Sequence, residues 1–175
     1  MNKNDRLLEN LRQEVEQYGR SGLESIYKTD VVFTVKVDGF NDLPSDCEFD
    51  EAVCDFMWFK DCAEKHRSLD HPNPAKSWWI KRFGESPPYG MKWSFPELST
   101  QLREAGGRRA VLINPGGQDD PACILFYQFQ TQDCKLHVSV YMRSSDLVNC
   151  LSQDIAMTYL LLRHVAAICG SDVGD

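Results

Sequence analysis

No two cysteines in this sequence stand at CxxC spacing. The seven, at 47, 54, 62, 123, 134, 150 and 169, are odd in number and widely spread. That argues against a disulfide framework and against a zinc ribbon. The four histidines, His66, His71, His137 and His164, show no ligand spacing, so no metal is expected. Long apolar runs are missing too. The most apolar stretch, residues 155–169, is too short for a bilayer span and contains Arg163 and His164. The opening residues lead into a charged helix rather than an apolar h-region, so no secretory leader is expected. A reducing cytoplasm is then the expected setting. Positive charge is in deficit: 19 Lys and Arg against 26 Asp and Glu leave a formal net charge of −7. That argues against a general binder of nucleic acid or of anionic membranes. A few arginines can still hold one phosphate locally. There is no internal repeat and no low-complexity segment.

What is present is a core-forming chain. Its 175 residues, with four Trp, nine Phe and six Tyr, suit one domain, residues 1–175. Helical spacing appears over 5–18 (Leu7, Leu8, Leu11, Val15) and again over 49–65 (Phe49, Val53, Phe56, Met57). A short helix is expected over 76–83, another over 95–104, and a long apolar one over 151–169. The β-branched run 30–37 reads as a strand, as do 110–113, 123–130 and 136–143, the last two joined by a turn at 131–134. Residues 170–175 read as a frayed tail. Helices and strands mix without βαβ regularity, which favours α+β with a largely antiparallel or mixed sheet.

The chemistry concentrates between Cys123 and Asp154. A lone thiol opens one alternating apolar segment, Arg143-Ser144-Ser145-Asp146 closes the next, and Asp154 sits early on the last helix. A cysteine nucleophile needs nearby positive charge and partial exposure. Arg143, Arg108 and Arg109 could supply that charge, although a small buried hydrophobe is the commoner role for any one cysteine. Arg143 with Ser144 suits a phosphate, combining a forked guanidinium with a hydroxyl; a surface arginine capped by local acids is the plain alternative. Arg108-Arg109 has the same two readings. Asp154 either complements the helix dipole or selects a base edge by its hydrogen-bonding pattern. Asp55, among Val53, Phe56, Met57 and Trp58, is either a boundary residue or a proton shuttle. Tyr89 between Pro88 and Gly90 is, on its own, a loop aromatic.

Taken in order, these segments resemble the thymidylate synthase superfamily, which includes the pyrimidine nucleotide hydroxymethylases. Pro121-Ala122-Cys123 with Gln128, then Arg143-Ser144-Ser145-Asp146, then Asp154-Ile155-Ala156 are similar to that family's Pro-Pro-Cys-His, its Gln five residues on, its Arg-Ser-x-Asp and its Phe-Asn-Ile-Ala. The intervals from cysteine to arginine and on to Asp154 match without a gap. Weaker likenesses are Arg108-Arg109 before a strand ending Asn114-Pro115, Pro88-Tyr89-Gly90 with Trp93, Asp55 with Trp58-Phe59, and Gly19-Arg20-Ser21-Gly22. The resemblance implies a mixed, largely antiparallel sheet packed against helices.

It also implies a chemistry. Cys123 adds to C6 of a pyrimidine nucleoside monophosphate, and C5 then attacks the one-carbon group of 5,10-methylenetetrahydrofolate. Asp55 and Tyr89 move protons. Arg143 and Ser144 hold the 5′-phosphate, with Arg108 and Arg109 reaching it from the second subunit of a homodimer and Arg20 as a further candidate. Trp78 or Trp79 borders the folate and base pocket; Asp146 lies beside base and folate; Gln128 joins Asp154 and Asp146 in base recognition. Asp154 departs from the family's Asn. A carboxyl accepts from cytosine N4 and, when protonated, donates to N3, which looks like the deoxycytidylate hydroxymethylase branch acting on CMP or dCMP. Ile124 replaces the family's His, Cys150 its Gly, and Ser152-Gln153 its Pro-Phe. The family's later sugar-binding His-x-Tyr and its folate-closing C-terminus are not found, so a C-terminally truncated member is expected. A uracil-nucleotide C5 methylase and a catalytically inactive nucleotide-binding member are the alternatives.

Overall fold

The computed structural model describes residues 2–21, 26–27, 31–64, 93–104, 110–114 and 122–174, without the side chains of residues 20, 21, 26, 27 and 62. The expected helix over 76–83 lies outside them. Four helices are described: α1 (Lys3–Tyr18), α2 (Phe49–Ala63), α3 (Phe95–Glu104) and α4 (Leu151–Cys169). The strands are β1 (Arg20–Ser21), β2 (Ile26–Tyr27), β3 (Ala110–Ile113), β4 (Ile124–Gln132), β5 (Lys135–Met142) and β6 (Asp172–Val173). β1 pairs antiparallel with β2. The other four form one sheet in the order β3-β4-β5-β6, antiparallel except for the parallel β5–β6 pair. This is an α+β arrangement.

Each element follows from its residues. α1 begins with a reciprocal cap: the Asp5 amide donates to Asn2 Oδ1 and the Asn2 amide to Asp5 Oδ2, both at 2.8 Å. Asn4, 2% exposed, donates to the carbonyls of Lys36 (2.9 Å) and Asp42 (2.7 Å), fixing the helix to the loop it covers. β4 and β5 form a hairpin whose two turn residues, Asp133 (φ 51°) and Cys134 (φ 63°), both adopt left-handed backbone. That is a tight two-residue connection, two residues shorter than the expected 131–134 turn. α4 ends at Gly170 with φ 67°, where the Ser171 amide reaches back 3.0 Å to the Ala166 carbonyl.

The main core lies between the sheet and the helices. Tyr127, Phe129 and Leu136 from the strands meet Phe59 of α2, Leu98 of α3 and Leu161 and Val165 of α4, all 2% exposed or less. His164 sits edge-on between Phe56 (5.8 Å) and Phe95 (4.7 Å). Burial there, with Lys60 nearby, holds its imidazole below the ordinary value. The opposite face of the sheet is different: Val111, Ile113, Leu125 and Tyr141 are exposed, and Phe126 stacks on Tyr141 at 4.3 Å.

Two expectations are corrected. Residues 31–37 are not a described strand: they alternate in burial, with Val37 inside and Val32 exposed, but pair with no ladder among the described residues. Their inward side chains pack on the smaller cores under α1 and α4, and one of their carbonyls goes to Asn4 rather than to a strand. Nor are residues 170–175 a frayed tail, since Asp172 and Val173 pair with Lys135 and Leu136. The αL turn at Gly170 reverses the chain and delivers β6 to the edge of β5.

Candidate functional site

The hairpin brings Cys123 and Arg143 opposite each other. One step beyond the Ile124–Met142 pair, the Arg143 amide donates to the Cys123 carbonyl at 2.7 Å. A register shift between Ile124 and Phe126 marks a bulge at this end of β4. It lets Ile124 and Tyr127 both face the core while Cys123 stays exposed. Two side chains then converge on the thiol: Nη2 of Arg143 lies 3.9 Å from Sγ and Oγ of Ser144 lies 3.8 Å from it.

The next residue turns the other way. Ser145 Oγ donates to Asp154 Oδ2 at 3.2 Å. Part of Asp154 reaches the surface, but its carboxyl is enclosed by protein. Burial is the main cause that pushes this carboxyl up to about 7; the Ser145 hydroxyl works against the shift, and the charge of Asp55 adds to it. α2 packs along α4 and carries Asp55 to this point. Cys123, Arg143, Ser144, Ser145, Asp154 and Asp55 are thus gathered by one hairpin end, one loop and two helices.

Asp146 serves the loop itself. Its Oδ1 accepts from the amides of Val148 (2.9 Å) and Asn149 (3.0 Å), and its Oδ2 from the Asn149 side chain (2.8 Å). The Asn149 bonds hold its carboxyl below the ordinary range. Gln128 stands on the sheet face away from the helices, opposite Val111 and Ser139, and no described hydrogen bond joins it to Cys123 or Asp154. Arg20 is in β1, with its side chain undescribed; Trp78, Trp79, Tyr89, Arg108 and Arg109 lie outside the described residues.

The sequence motifs also converge behind the site. Trp93 Nε1 donates to Asn114 Oδ1 at 2.8 Å, and Asn114 Nδ2 donates to the Ile124 carbonyl at 3.0 Å, all buried. That chain ties the start of α3, the end of β3 and the residue after Cys123. Cys47 makes a contrast with Cys123. Burial, with Asp46 and Glu48 close by, pushes its thiol up to about 11, and it donates to Gln153 Oε1 at 3.6 Å. Such a thiol is inert. Ser145 is not marked out by the sequence, because the variable place in Arg-Ser-x-Asp carries no signal of its own. Among the described residues no group of His, Cys, Asp and Glu could hold a metal, and no helix is long and apolar enough to cross a membrane.

Residues 115–175 match the family model described as thymidylate synthase. Among solved structures, the chain is similar to thermostable thymidylate synthase A from Bacillus subtilis, at 16% identity and a TM-score of 0.70, covering 97% of this chain and 75% of that one. It is also similar to the thymidylate synthase of T4 phage, at 18% identity and a TM-score of 0.57, covering 73% of this chain. The chain spans 55% of the length of the T4 phage protein. The chain thus shares the fold of these thymidylate synthases, and the segment matched by the family model takes in Cys123, Arg143 and Asp154.

Proposed function

We propose that this protein transfers a one-carbon unit to C5 of a pyrimidine nucleoside monophosphate through a covalent adduct at Cys123, with a cytosine nucleotide, CMP or dCMP, as the substrate. One observation carries the reading. Three successive residues connect the thiol to the carboxyl: Arg143 and Ser144 at Sγ, Ser145 at Asp154. A guanidinium beside the sulfur is the setting that an attacking thiolate requires. Both Arg143 and Ser144 are exposed, so a phosphate can draw them to itself.

In the proposed step the thiolate forms a bond to C6. The C5–C6 π pair moves onto the ring, making C5 nucleophilic. C5 takes up the electrophile, loses its proton to a base, and the Cys123–C6 bond then breaks to return the thiolate. Asp55, half-buried on α2, is the described candidate for that proton transfer. Asp154 supports cytosine over uracil. A neutral carboxyl donates to N3 and accepts from the N4 amine, the two groups cytosine presents, and Asp154 holds its proton up to about 7. The resemblance to the deoxycytidylate hydroxymethylases adds hydroxymethyl transfer as the proposed product class, with water supplying the oxygen of the new group.

A folate donor would supply the one-carbon electrophile. The described residues do not by themselves build a site for it: Trp78 and Trp79 lie outside them, and Asp146 spends both oxygens on its own loop. A homodimer belongs to the same reading. The outer face of the sheet presents Val111, Ile113, Leu125 and Tyr141, a surface that a second copy can cover by two-fold symmetry. Sedimentation across a concentration series tests it.

The test of the chemistry is tritium release from [5-³H]CMP and [5-³H]dCMP. Exchange is expected in the wild type and is lost in Cys123→Ala. If neither nucleotide exchanges, with or without methylenetetrahydrofolate, the enzyme reading fails. Exchange from the UMP or dUMP analogues alone would replace cytosine by uracil as the substrate.

A further inference from the structure

Asp154 is held from one side only by hydrogen bonding. Ser145 Oγ occupies Oδ2 at 3.2 Å, and no described hydrogen bond goes to Oδ1. Ser145 is half-buried in the loop between β5 and α4, so its hydroxyl is shielded in part from competing water. The loop leaves it little freedom. On one side the Arg143 amide is bonded to the Cys123 carbonyl; on the other the Asp146 carboxylate closes the turn through Val148 and Asn149. We propose that Ser145 is a positioning residue: its hydroxyl takes one lone pair of Asp154 Oδ2 and fixes the plane of the carboxyl, so that Oδ1 can donate to N3 while Oδ2 accepts from N4, and the residue between the anion-binding pair and Asp146 sets base choice. This rests on the reading of Asp154 as the cytosine-selecting group.

The physical case has two parts. A carboxyl free to rotate about its terminal torsion presents either oxygen, or neither, to a planar base edge. One hydrogen bond from a held donor removes that freedom before binding, which is where preorganised sites gain affinity and discrimination. The same bond favours the charged carboxylate over the neutral acid. It opposes burial and Asp55, the charged group from the packed elements that acts on Asp154. Ser145 therefore controls both the rotation of the carboxyl and the pH at which it changes its pattern of donor and acceptor.

Ser145→Ala and Ser145→Thr in the full chain separate this from the underlying reading. A carbon-detected NMR titration of the Asp154 carboxyl, assigned with Asp154→Asn, needs no nucleotide. Removing a donor to the charged form raises the midpoint in Ser145→Ala, by about 0.5–1 pH unit for one partly shielded bond. Ser145→Thr, which keeps the hydroxyl, stays near the wild type. Calorimetric binding of CMP, dCMP, UMP and dUMP follows on the same proteins at about pH 5.5, where the carboxyl is neutral in each and only its orientation differs. The preference for cytosine nucleotides should fall about five- to tenfold in Ser145→Ala and return in Ser145→Thr. A wild type that prefers cytosine, with midpoint and preference both unmoved in Ser145→Ala, overturns the role of Ser145 and leaves the cytosine reading intact. A change in only one of the two quantities also overturns it, since one bond sets both. A wild type with no preference for cytosine overturns the reading of Asp154 and this inference with it.

Discussion

Asp154→Asn should change how stability depends on pH, and the sign follows from the direction of one shift. In the unfolded chain the carboxyl titrates near 3.8; in the fold, burial and the Asp55 charge push it up to about 7. Between those values the folded protein binds the extra proton, so this contribution is fully present below the lower value and is lost as pH rises through the higher one. Each tenfold in ionisation is worth about 1.4 kcal/mol, so carrying the charge costs at most about 4 kcal/mol above both values. Between about pH 5 and about pH 8.5 the part at stake is about 2–3 kcal/mol. Water reaching the exposed part of Asp154 brings this toward the lower figure. Asparagine has the same shape and no charge to bury. Its urea-unfolding free energy, followed by tryptophan fluorescence, should therefore fall less than that of the wild type over this range, by about 2 kcal/mol. The two proteins should converge at the acid end. Parallel curves across the whole range would mean that Asp154 is ionised in the fold at little cost, and the argument for a neutral carboxyl facing cytosine would go with it.

Two further outcomes test the frame around the site. Asn114→Ala leaves the Trp93 indole N–H buried without its acceptor and takes one donor from the Ile124 carbonyl; an unsatisfied buried polar group costs about 1–3 kcal/mol. The variant should be destabilised by at least that much in urea, and a change under 0.5 kcal/mol would show that water replaces the amide at little cost. Cys134→Gly removes the cost of a side chain at φ 63°. Left-handed backbone costs an L-residue roughly 1–2 kcal/mol, offset in part by the freedom glycine loses on folding. A gain of about 0.5–1 kcal/mol in calorimetry is expected, and a loss would refute the assigned turn geometry.

Where the sequence was legible, the pattern was local and periodic. The expected bounds of α3, β3 and α4 coincide with those observed, because each combines apolar periodicity with a clear stop: Gly106-Gly107 after α3, Asn114 after β3, Gly170 after α4. Residues 31–37 misled because β-branched composition marks a surface suited to pleating, not the presence of a partner strand. β6 was hidden for the opposite reason. Asp172-Val173 is too short for any periodic signal and is ordered by what stands beside it, Lys135 and Leu136. The site divides the same way. Cys123, Arg143, Ser144 and Asp154 were readable as an ordered set of residue types, while the Ser145 bond exists only once a strand end and a helix start are brought to hydrogen-bonding distance.

The loop that carries the site is braced from outside the catalytic chemistry. Arg12 of α1 donates from Nε to the Leu147 carbonyl at 3.0 Å and from Nη2 to Asp46 Oδ2 at 2.7 Å. Asp46 Oδ1 in turn accepts from Ser152 Oγ at 2.6 Å, at the first turn of α4. Burial works against the Asp46 charge, but the Ser152 hydroxyl and the Arg12 guanidinium outweigh it and hold the carboxyl below its ordinary value. An exposed ion pair alone contributes about 0–1 kcal/mol, so the weight of this arrangement is geometric. It fixes the loop after Asp146 and the start of α4 to a common point on α1, two residues before Asp154. Ser152 stands where the resembled family has proline. A proline would remove both the hydroxyl and the backbone N–H at that place, so the residue that departs from the pattern is the one that attaches the site to α1. The departure at Ser152 and the departure at Asp154 therefore belong to one structural unit: a helix start held by an external carboxylate and carrying an enclosed carboxyl of its own.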